Sequence, residues 1–337
     1  MRLLFRFILL PIVVLIATTW AGFALWLDGP SSHPLAGALA AGFAVVTVAL
    51  FIGVRPLWRA VVGFAFAFAL VAGWWFSLEA RNDRDWLPDV ARTPHAEIDG
   101  DQITIHNVRN FDYRSADDYT QRWETRSYDL SQLRGADMFL SYWGSPWIAH
   151  TIASWDFGDG RHLAISIETR KEKGERYSAL RGLFRQFELY YVVADERDVV
   201  RLRTNHRGET VRLYRLKTPR DIARAVLIDY LNEINRLADK PRWYNVLTHN
   251  CTTTIRYHVQ QVAPGDPFDW RILANGRLDE LGYERGNIDT TLPFEELRRR
   301  SNIVETAQAA DADPDFSARI REGLPGGRTN LLFGRGR

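Results

Sequence analysis

Three apolar runs open the chain, at residues 3–27, 35–54 and 57–76, separated by short polar breaks. Each approaches the ~20 residues that a helix needs to cross a bilayer. Arg2 and Arg6 precede the apolar core of the first run as they would in a secretory signal. That run is too long for a signal peptide, lacks a clean small-x-small cleavage site and has no cysteine for lipid attachment, so it reads as a signal anchor. Arg55 and Arg59 sit between the second and third runs, whereas residues 28–34 contain neither Lys nor Arg. The positive-inside rule then puts the N-terminus and the second break in the cytoplasm. Three crossings deliver everything after about Glu79 to the far side, which in a bacterium is the periplasm.

Beyond the apolar runs the period changes. Residues 82–94 read as a linker, and from Ile98 an alternation through Ile103, Ile105 and Val108 predicts short strands with polar turns. Residues 138–143 and 187–194 are apolar enough to be buried strands. Between them lies a hairpin whose register can be argued. Gly158-Asp159-Gly160 suits a three-residue loop, so paired residues sum to 318. Trp155 then faces Leu163, Ala153 faces Ile165, and Thr151 faces Ile167, forming one apolar face. A slip of one residue would mix the faces. The same register sets His150 opposite Glu168, with Cβ atoms about 5 Å apart. A carboxylate so placed can fix an imidazole tautomer and stabilise its charged form. An ordinary surface His–Glu pair would look the same in sequence.

Residues 199–204 and 210–216 flank a turn at His206-Arg207-Gly208, and Thr218-Pro219 opens a helix whose stripe runs Ala223, Val226, Leu227, Tyr230, Leu231, Ile234, Leu237. Next comes Asn245–Arg256, which holds the only cysteine among 337 residues. Asn250 is a strong helix N-cap, which places Cys251 at the first helical position, on the side continuing into Ile255 and Val259. There a thiol meets free backbone N–H groups and the positive end of the helix dipole. A lone cysteine is also compatible with a small buried hydrophobe. A single thiol in a compartment that favours disulfides cannot form one internally, which makes its chemistry worth considering.

Charge adds less. With 43 Lys and Arg against 41 Asp and Glu the chain carries a formal +2, and nothing points to nucleic acid as a partner. The arginines near residues 170–215 make that region basic; Arg170, Arg197, Arg201 and Arg203 are candidates for binding an anionic substrate group, against the alternative of a solvated sheet face. No spacing suits a metal, and no cofactor is expected. His249 and His258 lie two and seven residues from Cys251, neither suited to act as its base, whereas His150 arrives from a distant strand with its own orienting partner.

Residues 149–155, 166–170 and 194–198, together with Asn250-Cys251-Thr252-Thr253, resemble the periplasmic domain of the Lnb-type lipoprotein N-acyltransferases. That domain is similar in turn to circularly permuted, NlpC-type papain-like folds. The resemblance covers roughly residues 86–325. It implies Cys251 as nucleophile, His150 as base, Glu168 and Asn250 within the catalytic group, and acyl transfer through a thioester. The expected architecture is therefore α+β, a permuted papain-like domain preceded by three transmembrane helices. Its divisions are an anchor at 1–80, a linker at 81–97, the periplasmic thiol domain at 98–325 and a flexible tail at 326–337. The expected partners are inner-membrane lipid and a lipoprotein or phospholipid substrate. A peptidoglycan amidase or endopeptidase, or a non-enzymatic envelope scaffold, remains open from the residues alone.

Overall fold

The computed structural model describes residues 5–265 and 267–326; from residue 327 on, the tail expected at 326–337 lies outside them. The chain divides into two compact units. Among its described residues the first contains three α-helices, α1 (Leu10–Leu27), α2 (His33–Gly53) and α3 (Leu57–Ser77). The spans Phe7–Leu27, His33–Gly53 and Leu57–Ser77 are each long and apolar enough to cross a membrane. Pro34 stands in the first turn of α2, where a missing N–H costs no helical bond. Ala21, Phe43 and Phe64 meet at the centre of this unit. Most of the remaining apolar surface faces outward, as lipid-facing helices require.

Two segments expected to belong to the soluble part, Arg176–Glu188 and Arg242–Asn245, fall in this first unit. Asp28 explains part of this. Just beyond α1, its carboxylate accepts from Trp75 Nε1 and Gln186 Nε2, each at 2.6 Å. The Trp243 indole donates to the carbonyl of Leu78 at 3.1 Å.

The second unit is α+β. Its strands are β1 (His95–Asp99), β2 (Gln102–Arg109), β3 (Asp112–Tyr113), β4 (Tyr119–Thr120), β5 (Trp123–Asp129), β6 (Gly135–Tyr142), β7 (Ala149–Asp156), β8 (His162–Arg170), β9 (Glu188–Ala194) and β10 (Thr210–Arg215). One sheet runs β1-β2-β9-β8-β7-β6-β10, with β5 paired to β2, while β3 and β4 form a separate pair. The β7–β8 hairpin has the expected register: Trp155 pairs with Leu163, Ala153 with Ile165 and Ile152 with Ser166. Gly158, Asp159 and Gly160 all have positive φ, so the three-residue loop falls where glycine is cheapest. Both faces of the hairpin are buried, Ser154 and Ser166 as fully as Trp155 and Leu163.

Helices cover the sheet. On one face, α5 (Arg220–Asp239) receives the Trp155 indole N–H at the carbonyl of Ala223, 3.0 Å away. On the other, Ile152 and Ala164 pack with Tyr190, Val192, Val199, Val200 and Phe316.

Two expectations need correction. Residues 82–94 are no linker: Trp86 and Val90 are buried in that cluster, and Leu87 donates to the carbonyl of Lys171 at 2.9 Å. Residues 199–204 do not form a strand. They complete α4 (Glu196–Arg201) and enter a π-type turn at Leu202–His206. Asp195 caps α4 through the N–H of Arg197, and Glu196 and Asp198 stand in its first turn, where the dipole favours acidic groups.

Candidate active site

Helix α6 spans Cys251–Val262, and Asn250 caps it in a capping box. Asn250 Oδ1 accepts from the N–H of Thr253 at 2.9 Å, and Thr253 Oγ1 accepts from the N–H of Asn250 at 3.0 Å. The box leaves the N–H groups of Cys251 and Thr252 at the free end of the helix. Cys251 itself is partly exposed. The helix does not bury the side expected. Thr252, Thr254 and His258 turn inward, whereas Val259 is exposed. His258 is fully buried between Tyr191 Oη, at 2.6 Å, and Asp229 Oδ2, at 2.7 Å. It holds α6 to β9 and α5 and has no place at the thiol.

His150 comes from the second residue of β7. Its Nε2 lies 2.6 Å from Ser166 Oγ and 3.1 Å from Glu168 Oε1. Ser166 donates its own proton to Glu168 at 2.8 Å, so Nε2 carries hydrogen in this arrangement. The ring and the Cys251 side chain lie near enough for each to shift the other's titration. Behind Glu168 stands Arg203, whose Nη2 donates to Glu168 Oε1 at 2.8 Å and whose Nη1 donates to Glu209 Oε2 at 3.0 Å. Cys251, His150, Glu168 and Arg203 thus form a continuous polar chain from surface to interior.

The electrostatics follow from that chain. Burial works against a charged His150, but the Glu168 carboxylate outweighs both burial and the opposing Arg203, and the ring's pKa is pushed up to about 9. Burial also works against a charged Glu168, yet His150, Arg203 and Ser166 hold it well below the usual carboxylate range. For Cys251, burial raises the pKa. Hydrogen bonding and charge from His150, a backbone hydrogen bond from Thr151 and the Thr252 hydroxyl bring it below its ordinary value. The combination favours a thiolate–imidazolium pair.

Asn275 is a site residue that the sequence reading missed. Its Nδ2 donates to Thr252 Oγ1 at 2.7 Å and reaches Cys251 Sγ at 3.7 Å, while its Oδ1 accepts from the N–H of Ala149 at 2.9 Å. One amide therefore ties the start of β7 to the start of α6. The next residue must be glycine on steric grounds, because a Cβ at Gly276 would lie 2.3 Å from the carbonyl oxygen of Pro146. An Asn-Gly pair is a turn signal in sequence, and here it was the only local sign.

The four candidate anion-binding arginines take different positions. Arg170 is buried, with its guanidinium bonded to Val90 O, Asn82 Oδ1 and Ala91 O and stacked over Trp86. Arg201 is buried against Asp311, Asp112 and the carbonyl of Tyr113. Both are internal struts, because a guanidinium taken out of water needs all its donors matched. Arg197 lines a cleft with Arg126, Arg161 and His162, by the hairpin turn at the opposite end of β7 from His150. Arg203 alone belongs to the site, and there it braces Glu168. Among the described residues one group, His95, Glu97 and His106 on β1 and β2, is close enough to share a metal ion; it is not part of this site.

Residues 119–276 match the family described as the Lnb N-terminal periplasmic domain. No curated protein and no solved structure matches the chain. The matched span takes in His150, Glu168, Cys251 and Asn275.

Proposed function

We propose that this protein, in which residues 119–276 match the Lnb N-terminal periplasmic domain family and the described residues include three candidate membrane spans, is a cysteine acyltransferase or hydrolase acting on lipid-linked acyl groups. One observation carries the reading: the only thiol stands at a capped helix N-terminus, electrostatically coupled to a histidine that a carboxylate holds charged. In this reading the membrane is the bacterial inner membrane, crossed three times with the N-terminus in the cytoplasm, and the substrate is a lipoprotein or phospholipid.

The Cys251 thiolate attacks an ester carbonyl. Negative charge moves to the carbonyl oxygen, and in this reading the N–H of Cys251 and the Asn275 amide beside the sulfur receive it. Collapse of the tetrahedral intermediate expels the alcohol, which takes its proton from the His150 imidazolium, and leaves an acyl thioester on sulfur. His150, now neutral, removes a proton from the incoming amine or water. That nucleophile attacks the thioester, and the thiolate departs to re-form the ion pair. Glu168 stabilises the charged ring at the start and end of the cycle, and Arg203 keeps Glu168 ionised and in position. Asn250 acts through the helix cap rather than on the substrate.

Intact-mass analysis of the protein purified in native lipid tests this. An added acyl mass, removed by neutral hydroxylamine and absent from Cys251→Ser, is expected. His150→Ala should also lose it, and the double variant should be no worse than either single one, because nucleophile and base act as a unit. An acyl mass that persists in Cys251→Ser would refute the assignment.

A further inference from the structure

The thiol site opens among apolar side chains that are out of place on a water-facing domain. Trp143, Trp147 and Ile148 occupy the loop just before His150, and Phe268, Trp270 and Leu273 lie just before Asn275. All six are between 48 and 61 % exposed. They come from two loops that the structure locks together: Gly276 donates its N–H to the carbonyl of Trp147 at 3.0 Å, and the rings of Trp147 and Trp270 lie 6.3 Å apart. Arg277 stacks on both rings. The patch is therefore built rather than a collection of frayed side chains, and it sits on the residues that hold His150 and Cys251 in place.

We infer that this aromatic rim is an interfacial membrane-docking surface, whose partner is the headgroup and upper acyl region of a phospholipid bilayer. Tryptophan prefers that layer, where its ring is buried and its N–H stays wet, and a contiguous exposed apolar patch marks a contact site. The domain cannot drift far from such a surface. Eight residues lie between Ser77, the last of the third span, and Trp86, the first core residue of the domain, a reach of at most about 32 Å.

Charge narrows the mode of binding. Arg271 is paired with Asp269 at 3.0 Å and Glu284 at 2.6 Å, and Arg277 with Glu280 at 2.7 Å. These cations are already balanced, so docking draws on apolar burial and needs no anionic lipid. The inference rests on the thiol-site reading only for its consequence, which is that docking presents Cys251 to acyl carbonyls at the depth where glycerol esters lie.

The test uses full-length protein carrying Cys251→Ser and Leu273→Cys. The new thiol bears a polarity-sensitive fluorophore, and the protein is reconstituted one copy per phosphatidylcholine nanodisc. Gln132→Cys is the reference, an exposed position on the turn that precedes β6, at the end of that strand away from Tyr142, with β6 itself about 23 Å long at 3.3 Å per residue. At position 273 we expect blue-shifted emission and at least about twofold quenching by lipids bearing a nitroxide near the headgroup, unchanged in about 0.5 M salt. At position 132 neither is expected. Phe268→Cys should repeat the result at 273 should a label there disturb the loop. Emission at 273 and 268 equal to that at 132 overturns the inference. So does a blue shift without lipid quenching, which would mean that a protein partner or second copy covers the rim, or quenching that requires anionic lipid and is lost in salt. Because the probe lacks Cys251, a negative result leaves the thioester chemistry untouched, and a missing thioester leaves this measurement valid.

Discussion

Glu168→Gln separates the role of the carboxylate from the mere presence of the thiol. In the native protein the His150 pKa rises from its ordinary 6.5 to about 9. At 1.36 kcal/mol per tenfold, that net rise corresponds to roughly 3 kcal/mol favouring the charged ring. Burial and Arg203 both oppose it, so Glu168 supplies more than the net. Glutamine keeps an acceptor for Nε2–H and removes the charge. His150 should then fall to 6.5 or below, and its charged fraction at pH 7 from about 99 % to about a quarter or less. Cys251 loses the cation that lowers its own pKa, and its titration should move up toward the ~8.5 of a free thiol.

Alkylation kinetics with iodoacetamide read this directly, because Cys251 is the only cysteine in the chain. The rate follows the thiolate. In the native protein it should hold a plateau down into the neutral range, and in Glu168→Gln it should drop about tenfold at pH 6–7 with its midpoint shifted upward. A native midpoint near that of a free thiol, or identical profiles for the two proteins, would refute the ion-pair reasoning. No alkylation of the native protein at any pH would favour an inert structural cysteine.

Asn275→Ala should lower thioester formation by about 10²-fold, the scale for one oxyanion donor; an alkylation profile close to native would show that the loss lies in the transition state and not in the thiol. Arg321→Ala should cost about 3–5 kcal/mol in thermal unfolding, because it leaves Asp137 and Glu196 buried without their cation; a change within about 0.5 kcal/mol would contradict the assigned ion pairs. Burial opposes ionisation of Glu196, yet Arg321 and His162 hold its pKa down at about 2 against an ordinary 4.5. Its contribution should therefore be complete above pH 4.5 and disappear as the pH falls through 2, a trend to be checked by acid titration of the unfolding midpoint.

Much of the site was legible because it depends on short-range geometry. A three-residue turn and strict alternation are enough to place Glu168 beside His150, and an Asn followed by Thr three residues later marks the cap that presents Cys251. The three spans follow from length and apolarity alone. Asn275 was not legible, since it meets Ala149 across 126 residues and Thr252 across 23, and one polar residue in a loop carries no period. Arg203 is visible in sequence as a basic residue, but its contact with Glu168 is not. Its stretch is rich in Val and Leu and reads as a strand, whereas the Asp195 cap turns it into a helix and swings Arg203 under Glu168. The loops that join the membrane helices were hidden for a similar reason: Gln186 and Asp28 are 158 residues apart.

The Arg321 cluster bears on how the domain is assembled. Arg321 closes on Asp137 across 184 residues and on Glu196 across 125. A chain threaded through a membrane with its N-terminal end first delivers both acids long before the arginine that neutralises them. Strand β6 and helix α4, which carry those acids, have no reason to settle into the interior until the last partner arrives. Completion of this cluster thus waits for the C-terminal part of the chain, and a half-exported chain would hold Asp137 and Glu196 without their cation. Changes at Asp137, Glu196 or Arg321 would show first as a fall in the amount of protein in the envelope, with the surviving molecules still chemically competent.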